Sequence, residues 1–111
     1  MLTAALRDGS ADRRCVFEVF ARRLPAGRRY GVVAGTGRLV EAVAGHRFEP
    51  DEIDFLRRAG VVDEGAAGWL SGYRFTGDIE GYPEGELYYP GSPILTVAGS
   101  FAECVVLETL I

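Results

Sequence analysis

The chain predicts an α+β fold, and three observations carry that prediction. Apolar side chains alternate with a period of two over residues 15–21 and again in short runs between 79 and 97. Ala66, Trp69, Leu70 and Tyr73 instead fall at i, i+3, i+4 and i+7, a helical stripe. Ser100 followed three residues later by Glu103 writes a capping box at the head of an apolar run, so a helix starts there. At 111 residues with 48% hydrophobic side chains, the chain can bury one modest core and is one domain or part of one.

Each element has a local cause. Leu2 to Arg7 reads as the tail of a helix closed by Asp8-Gly9. Arg14 to Leu24 reads as a strand with Cys15, Phe17, Val19 and Ala21 on one face and Val16, Glu18, Phe20 and Arg22 on the other, turned by Pro25-Ala26-Gly27. Tyr30 to Val33 suits a short second strand. Gly35-Thr36-Gly37 opens a helix carrying Leu39, Val40 and Val43, with Thr36 as the expected N-cap. Pro50-Asp51-Glu52 places proline in a first turn and acids at a positive helix end, beginning a helix that Gly60 closes. Ile79 to Tyr82, Glu86 to Tyr89 and Ile94 to Val97 read as strands. Tyr82-Pro83-Glu84-Gly85 suits a type I turn that would pair the first two as a hairpin. From Phe101 to Ile111 the polar residues are only Glu103, Glu108 and Thr109, the pattern of a helix buried on most sides and without a stop signal.

Composition narrows the function classes. The formal net charge is −4, and all 12 basic residues are arginines, eight of them in scattered pairs interleaved with acids rather than in a one-faced stripe. Nucleic acid is therefore not an expected partner. No run reaches the length of a membrane span, and Met1-Leu2-Thr3-Ala4 lacks the cationic and long apolar parts of a signal peptide, so a cytoplasmic location and no membrane partner are expected.

The chemically suggestive residues each have a structural reading that outweighs the functional one. Gly35-x-Gly37 resembles a phosphate cradle, but Val40 stands where a dinucleotide fingerprint needs its third glycine. His46 is the sole histidine and closes a helix, with no Cys or carboxylate spaced to complete a ligand set. Asp78, Glu80, Glu84 and Glu86 could gather Mg2+, though hairpin acids of this kind more often face solvent. Glu18, if covered, needs an arginine partner on a neighbouring strand. Trp69, Tyr73, Tyr88 and Tyr89 could stack on a ring but suit core or interface. Cys15 and Cys104, far apart and in no C-x-x-C arrangement, read as small buried hydrophobes. No catalytic, substrate-binding or metal residue is assigned.

Three segments carry a family resemblance. Tyr88-Tyr89-Pro90-Gly91-Ser92-Pro93-Ile94-Leu95-Thr96-Val97 is followed by Phe101-Ala102-Glu103 and Leu107-Glu108-Thr109-Leu110. Phe17 to Pro25 runs through Arg29-Tyr30 into Val33-Ala34-Gly35, and Phe48 to Gly60 contains Ile53-Asp54-Phe55-Leu56. In this order they resemble the amino-terminal domain of nicotinate phosphoribosyltransferases over essentially the whole chain. The resemblance implies a small mixed helix and strand domain of a type II phosphoribosyltransferase over residues 1–99. Residues 100–111 would begin a buried helix leading to an α/β barrel domain that lies outside this chain.

The family's reaction, condensing nicotinate with phosphoribosyl pyrophosphate in NAD biosynthesis, couples to ATP hydrolysis with Mg2+ through a phosphorylated histidine in homodimers. The family's amino-terminal domain contributes mainly a tyrosine in a Thr-Asp-x-Tyr-x-Leu-Thr-Met motif. Met1-Leu2 aligns with the end of that motif, so its Asp and Tyr would precede residue 1, and His46 matches no phosphorylated histidine. The expectation is a fragment truncated at both ends, inactive and binding no cofactor by itself. The alternative is a non-catalytic binding or regulatory module reusing the domain.

Overall fold

A computed structural model describes residues 1–111. In chain order the elements are helix α1 (Leu2–Asp8), strand β1 (Arg14–Phe20), strand β2 (Gly31–Val32), helices α2 (Thr36–Gly45), α3 (Pro50–Arg58) and α4 (Glu64–Ser71), strands β3 (Asp78–Gly81), β4 (Leu87–Tyr88) and β5 (Pro93–Ser100), and helix α5 (Phe101–Val105). The mixed α+β class stands, and no α/β barrel is among these elements. Two antiparallel sheets form: a three-stranded one in the order β1-β5-β3 and a two-stranded ribbon of β2 and β4.

The predicted hairpin is therefore corrected. Leu87 and Tyr88 pair with Val32 and Gly31, whereas Ile79 pairs with Val97 across β5. The turn also shifts by one residue, with the Glu86 amide donating to the Pro83 carbonyl at 3.3 Å and Gly85 at φ 86°. The Val33 amide donates to the Glu86 carbonyl and the Gly85 amide to the Val33 carbonyl. These bonds draw the segment after the turn away from β3.

Strand β1 is shorter than the alternation suggests because its partner runs out. The pairing slips between Val19 and Phe20, and the last partner is Pro93, which has no amide to donate. Cys15, Phe17 and Val19 share a face with Gly99, Val97 and Leu95, and this is the core side, although Phe17 at the free edge of the sheet is exposed. The opposite face carries Val16, Glu18 and Phe20, all exposed, with Val16 at 60% and Phe20 at 45%.

Helix ends follow their local chemistry. Gly9 closes α1 at φ 79°. A reciprocal capping box of Glu49 and Glu52, with Pro50 in the first turn, starts α3. Asp63 caps α4 by accepting from the Ala66 amide at 2.9 Å, and its other oxygen takes the Arg7 guanidinium at 2.7 Å, which ties α4 to α1. Ala66, Leu70 and Tyr73, three of the four stripe residues, are buried.

The helix predicted over 101–111 is corrected as well. It keeps its Ser100–Glu103 capping box but gives way to turns after Val105, the Leu107 amide donating to the Cys104 carbonyl and Ile111 to Leu107. Breaking the helix lets Leu107 turn inward to 0% exposure, beside Cys104, Leu95, Val97, Val43 and Tyr73. Much of the apolar content of this segment is thus buried within the chain itself. Two further bonds, from the Phe101 and Ala102 amides to the Arg13 and Ala11 carbonyls, clamp α5 to the loop before β1.

Candidate functional site

The glycine-bracketed start of α2 is where an anion would be held, and the protein fills it with its own carboxylate. Gly35 stands at φ 95°, a conformation open to glycine, and turns the backbone amides of Gly35 and Gly37 toward one point. Glu84 accepts from the Gly35 amide at 2.9 Å with each oxygen and from the Gly37 amide at 3.1 Å. Its hold on Thr36 is weaker, the hydroxyl donating over 3.5 Å. The N-cap is Gly35, not Thr36, which makes no capping bond of its own. Donation from Gly35, then from Gly37, holds the Glu84 carboxyl below its usual value. Nothing near Glu84 in sequence signals this role, because its partners lie on another element. The only clue is a pair of helix-start amides in need of an acceptor.

The other candidates disperse. Asp78 faces Arg14 at 3.9 Å across exposed surface, and Glu86 takes the Leu87 amide at 3.2 Å. Together with Glu84 at α2, these acids share no point, and no group of three His, Cys, Asp or Glu side chains converges on one. Glu18 has no arginine partner, because the face it occupies is open. His46 caps α2 through its backbone amide, and its ring packs edge-on against Phe48 and Tyr73 at centroid separations of 4.9 and 5.7 Å. Trp69 joins this cluster 5.5 Å from Tyr73. The Tyr73 hydroxyl donates to the Glu103 carbonyl at 3.1 Å, and burial pushes its ionisation up. These aromatic rings are core. The Tyr88 ring lies over Gly31, where a Cβ would overlap it, and Tyr89 projects into solvent.

Two apolar depressions border β1. One, of about 580 Å³, lies between the two sheets, with Val19, Leu39, Tyr88, Leu95 and Leu110 on its walls and Thr36 and Arg38 beside them. The other, of about 520 Å³, runs along the free edge of β1 past Phe17, Phe20, Phe101, Val105 and Ile111. Neither brings together a nucleophile, a base and an oxyanion donor. The residues present do not fit ATP or Mg2+: the carboxylates are apart, and the helix end suited to phosphate is taken by Glu84. No helix is long and apolar enough to cross a membrane.

What the geometry defines is a small mixed α+β domain presenting apolar edges. A family model described as the nicotinate phosphoribosyltransferase (NAPRTase) N-terminal domain matches residues 1–111, and the chain belongs to that family. It is 64% identical over 111 residues to nicotinate phosphoribosyltransferase pncB1 of Mycobacterium tuberculosis, covering all of this chain and 24% of that protein. Against pncB2 of the same organism it is 36% identical over 96 residues, 86% of this chain and 21% of the relative. The crystal structure of human nicotinic acid phosphoribosyltransferase matches the fold with a TM-score of 0.86 at 28% identity, over 98% of this chain and 22% of that one. The chain thus spans about a quarter of the length of these relatives.

Proposed function

We propose that these residues act as the amino-terminal domain of a nicotinate phosphoribosyltransferase. The complete enzyme would make nicotinate mononucleotide and pyrophosphate from nicotinate and phosphoribosyl pyrophosphate, with ATP hydrolysis and Mg2+, as a cytoplasmic homodimer. The observation that carries this reading is the 64% identity along the whole chain, joined to the same fold. The domain's contribution is structural. Its open strand face and apolar depressions offer surface for packing.

A chimera tests the proposal. Replacing the matching segment of the Mycobacterium tuberculosis enzyme with these 111 residues should give a protein that forms nicotinate mononucleotide, followed by chromatography. The 111-residue chain alone should form none above a no-enzyme control, since groups that act as a unit lose their joint effect when separated. A folded but inactive chimera, or an active isolated chain, would overturn the reading. The burial of Ala102, Cys104, Val105 and Leu107 within the chain favours a second reading, a non-catalytic binding or regulatory module that stands by itself. Under that reading the chain would bind the full-length enzyme in trans and alter its rate.

A further inference from the structure

The core side of the main sheet holds the chain's two cysteines in one place. Cys15 on β1 is directly opposite Gly99 on β5, so the two residues direct their Cβ positions to the same face, about 4.5–5.5 Å apart. The Cys104 sulfur, coming down from α5, lies only 3.1 Å from where a Gly99 Cβ would be. Gly99 is therefore the slot that admits the second thiol beside the first. Both are free thiols. Cys15 is partly exposed, whereas Cys104 is buried at 4% and packs in the core cluster that Cys15 borders.

We propose that Cys15 and Cys104 are an oxidisable pair that closes an intramolecular disulfide between β1 and α5 when the chain meets a peroxide. The accessible sulfur reacts first. Cys15 attacks one peroxide oxygen, the O–O bond breaks, and hydroxide leaves and takes the thiol proton as water, giving a sulfenic acid. The Cys104 sulfur then attacks the Cys15 sulfur, an S–S bond forms as S–O breaks, and the departing hydroxide removes the Cys104 proton as a second water. Two thiols lose two electrons, and one hydrogen peroxide becomes two waters. Burial, and after it a hydrogen bond with Cys15, pushes the Cys104 thiol up to about 12, so it does not open the sequence, and its place in the second step rests on its position beside Cys15. The bond would pin α5 against the sheet at the end the Ser100–Glu103 box already anchors.

The experiment treats the full chain with hydrogen peroxide, then unfolds it and counts maleimide-reactive thiols by mass spectrometry, in parallel with chain oxidised in urea. The native chain should lose both thiols together, stay monomeric on a non-reducing gel, lose the mass of two hydrogens and recover both thiols with dithiothreitol. It should close faster than the urea-unfolded chain. Gly99→Ala, whose methyl would crowd the Cys104 sulfur, should slow closure about tenfold. Persistence of both thiols, disulfide-linked dimers in place of the internal bond, or equal rates in the native and unfolded chains would each overturn the proposal without any variant having to fold.

Discussion

Glu103→Ala removes one carboxylate that joins three parts of the fold. One of its oxygens accepts from the Ser100 hydroxyl at 2.7 Å and the Ser100 amide at 3.3 Å, completing the cap of α5. The other accepts from the Thr76 hydroxyl at 2.7 Å and the Thr76 amide at 3.0 Å, which fastens the segment before β3. Loss of such a cap costs about 1 kcal/mol, and loss of bonds to a charged acceptor, discounted here for access to water, about 1 kcal/mol more. A total of about 2 kcal/mol lowers the melting temperature of a domain this size by about 8 °C. Thermal unfolding followed by circular dichroism measures it.

The pH dependence gives a second reading of the same group. Burial pushes the Glu103 carboxyl up, but the bonds from Ser100 and Thr76 outweigh it and leave the carboxyl below its ordinary value. Its stabilisation is thus present above the unfolded-state value and lost as pH falls through the folded one, so the gap between parent and variant should close in acid. A variant within about 0.5 kcal/mol of the parent at neutral pH, or a gap that stays constant into acid, refutes the reasoning.

Other consequences follow from the packing. Leu107→Ala, at a fully buried site, should cost about 2–5 kcal/mol in urea unfolding, whereas Leu87→Ala, at 44% exposure, should cost far less. Gly31→Ala should destabilise by about 1–3 kcal/mol through overlap with the Tyr88 ring, and Tyr88→Ala in the same chain should relieve part of that loss. Glu84→Ala should speed hydrogen exchange at the Gly35 and Gly37 amides while leaving those of α4 unchanged. Equal protection at Gly35 and Gly37 in parent and variant would show that water replaces the carboxylate without loss.

What could be read from the sequence was what neighbours decide. Pro50 with Glu52, the stripe from Ala66 and the box of Ser100 with Glu103 each act within one or two helical turns, and a helix formed at each, the one on the stripe ending at Ser71 so that Tyr73 lies just beyond it. The core face of β1 was likewise visible, because alternation along a strand does not depend on which strand lies beside it. Pairing does depend on it. The turn at Pro83 and Glu84 looked like the tip of a hairpin, and nothing local distinguishes that outcome from a strand handed to Gly31 and Val32 instead.

The same gap between local and distant chemistry explains the site residues. Glu84 is one of four acids spread between Asp78 and Glu86, and its identity as a helix cap comes from amides at Gly35 and Gly37 on another element. Glu18 looked in need of a partner only because its flanking side chains are apolar, yet the face it shares with Val16 and Phe20 faces water in this chain. Large apolar side chains left in water forgo about 1.5–3 kcal/mol each, so Val16 and Phe20 argue for a covering surface. Relatives about four times as long have the chain to provide one. Covering that face would strip Glu18 of solvent as well, and the surface that packs there must then bring a hydrogen-bond donor to it.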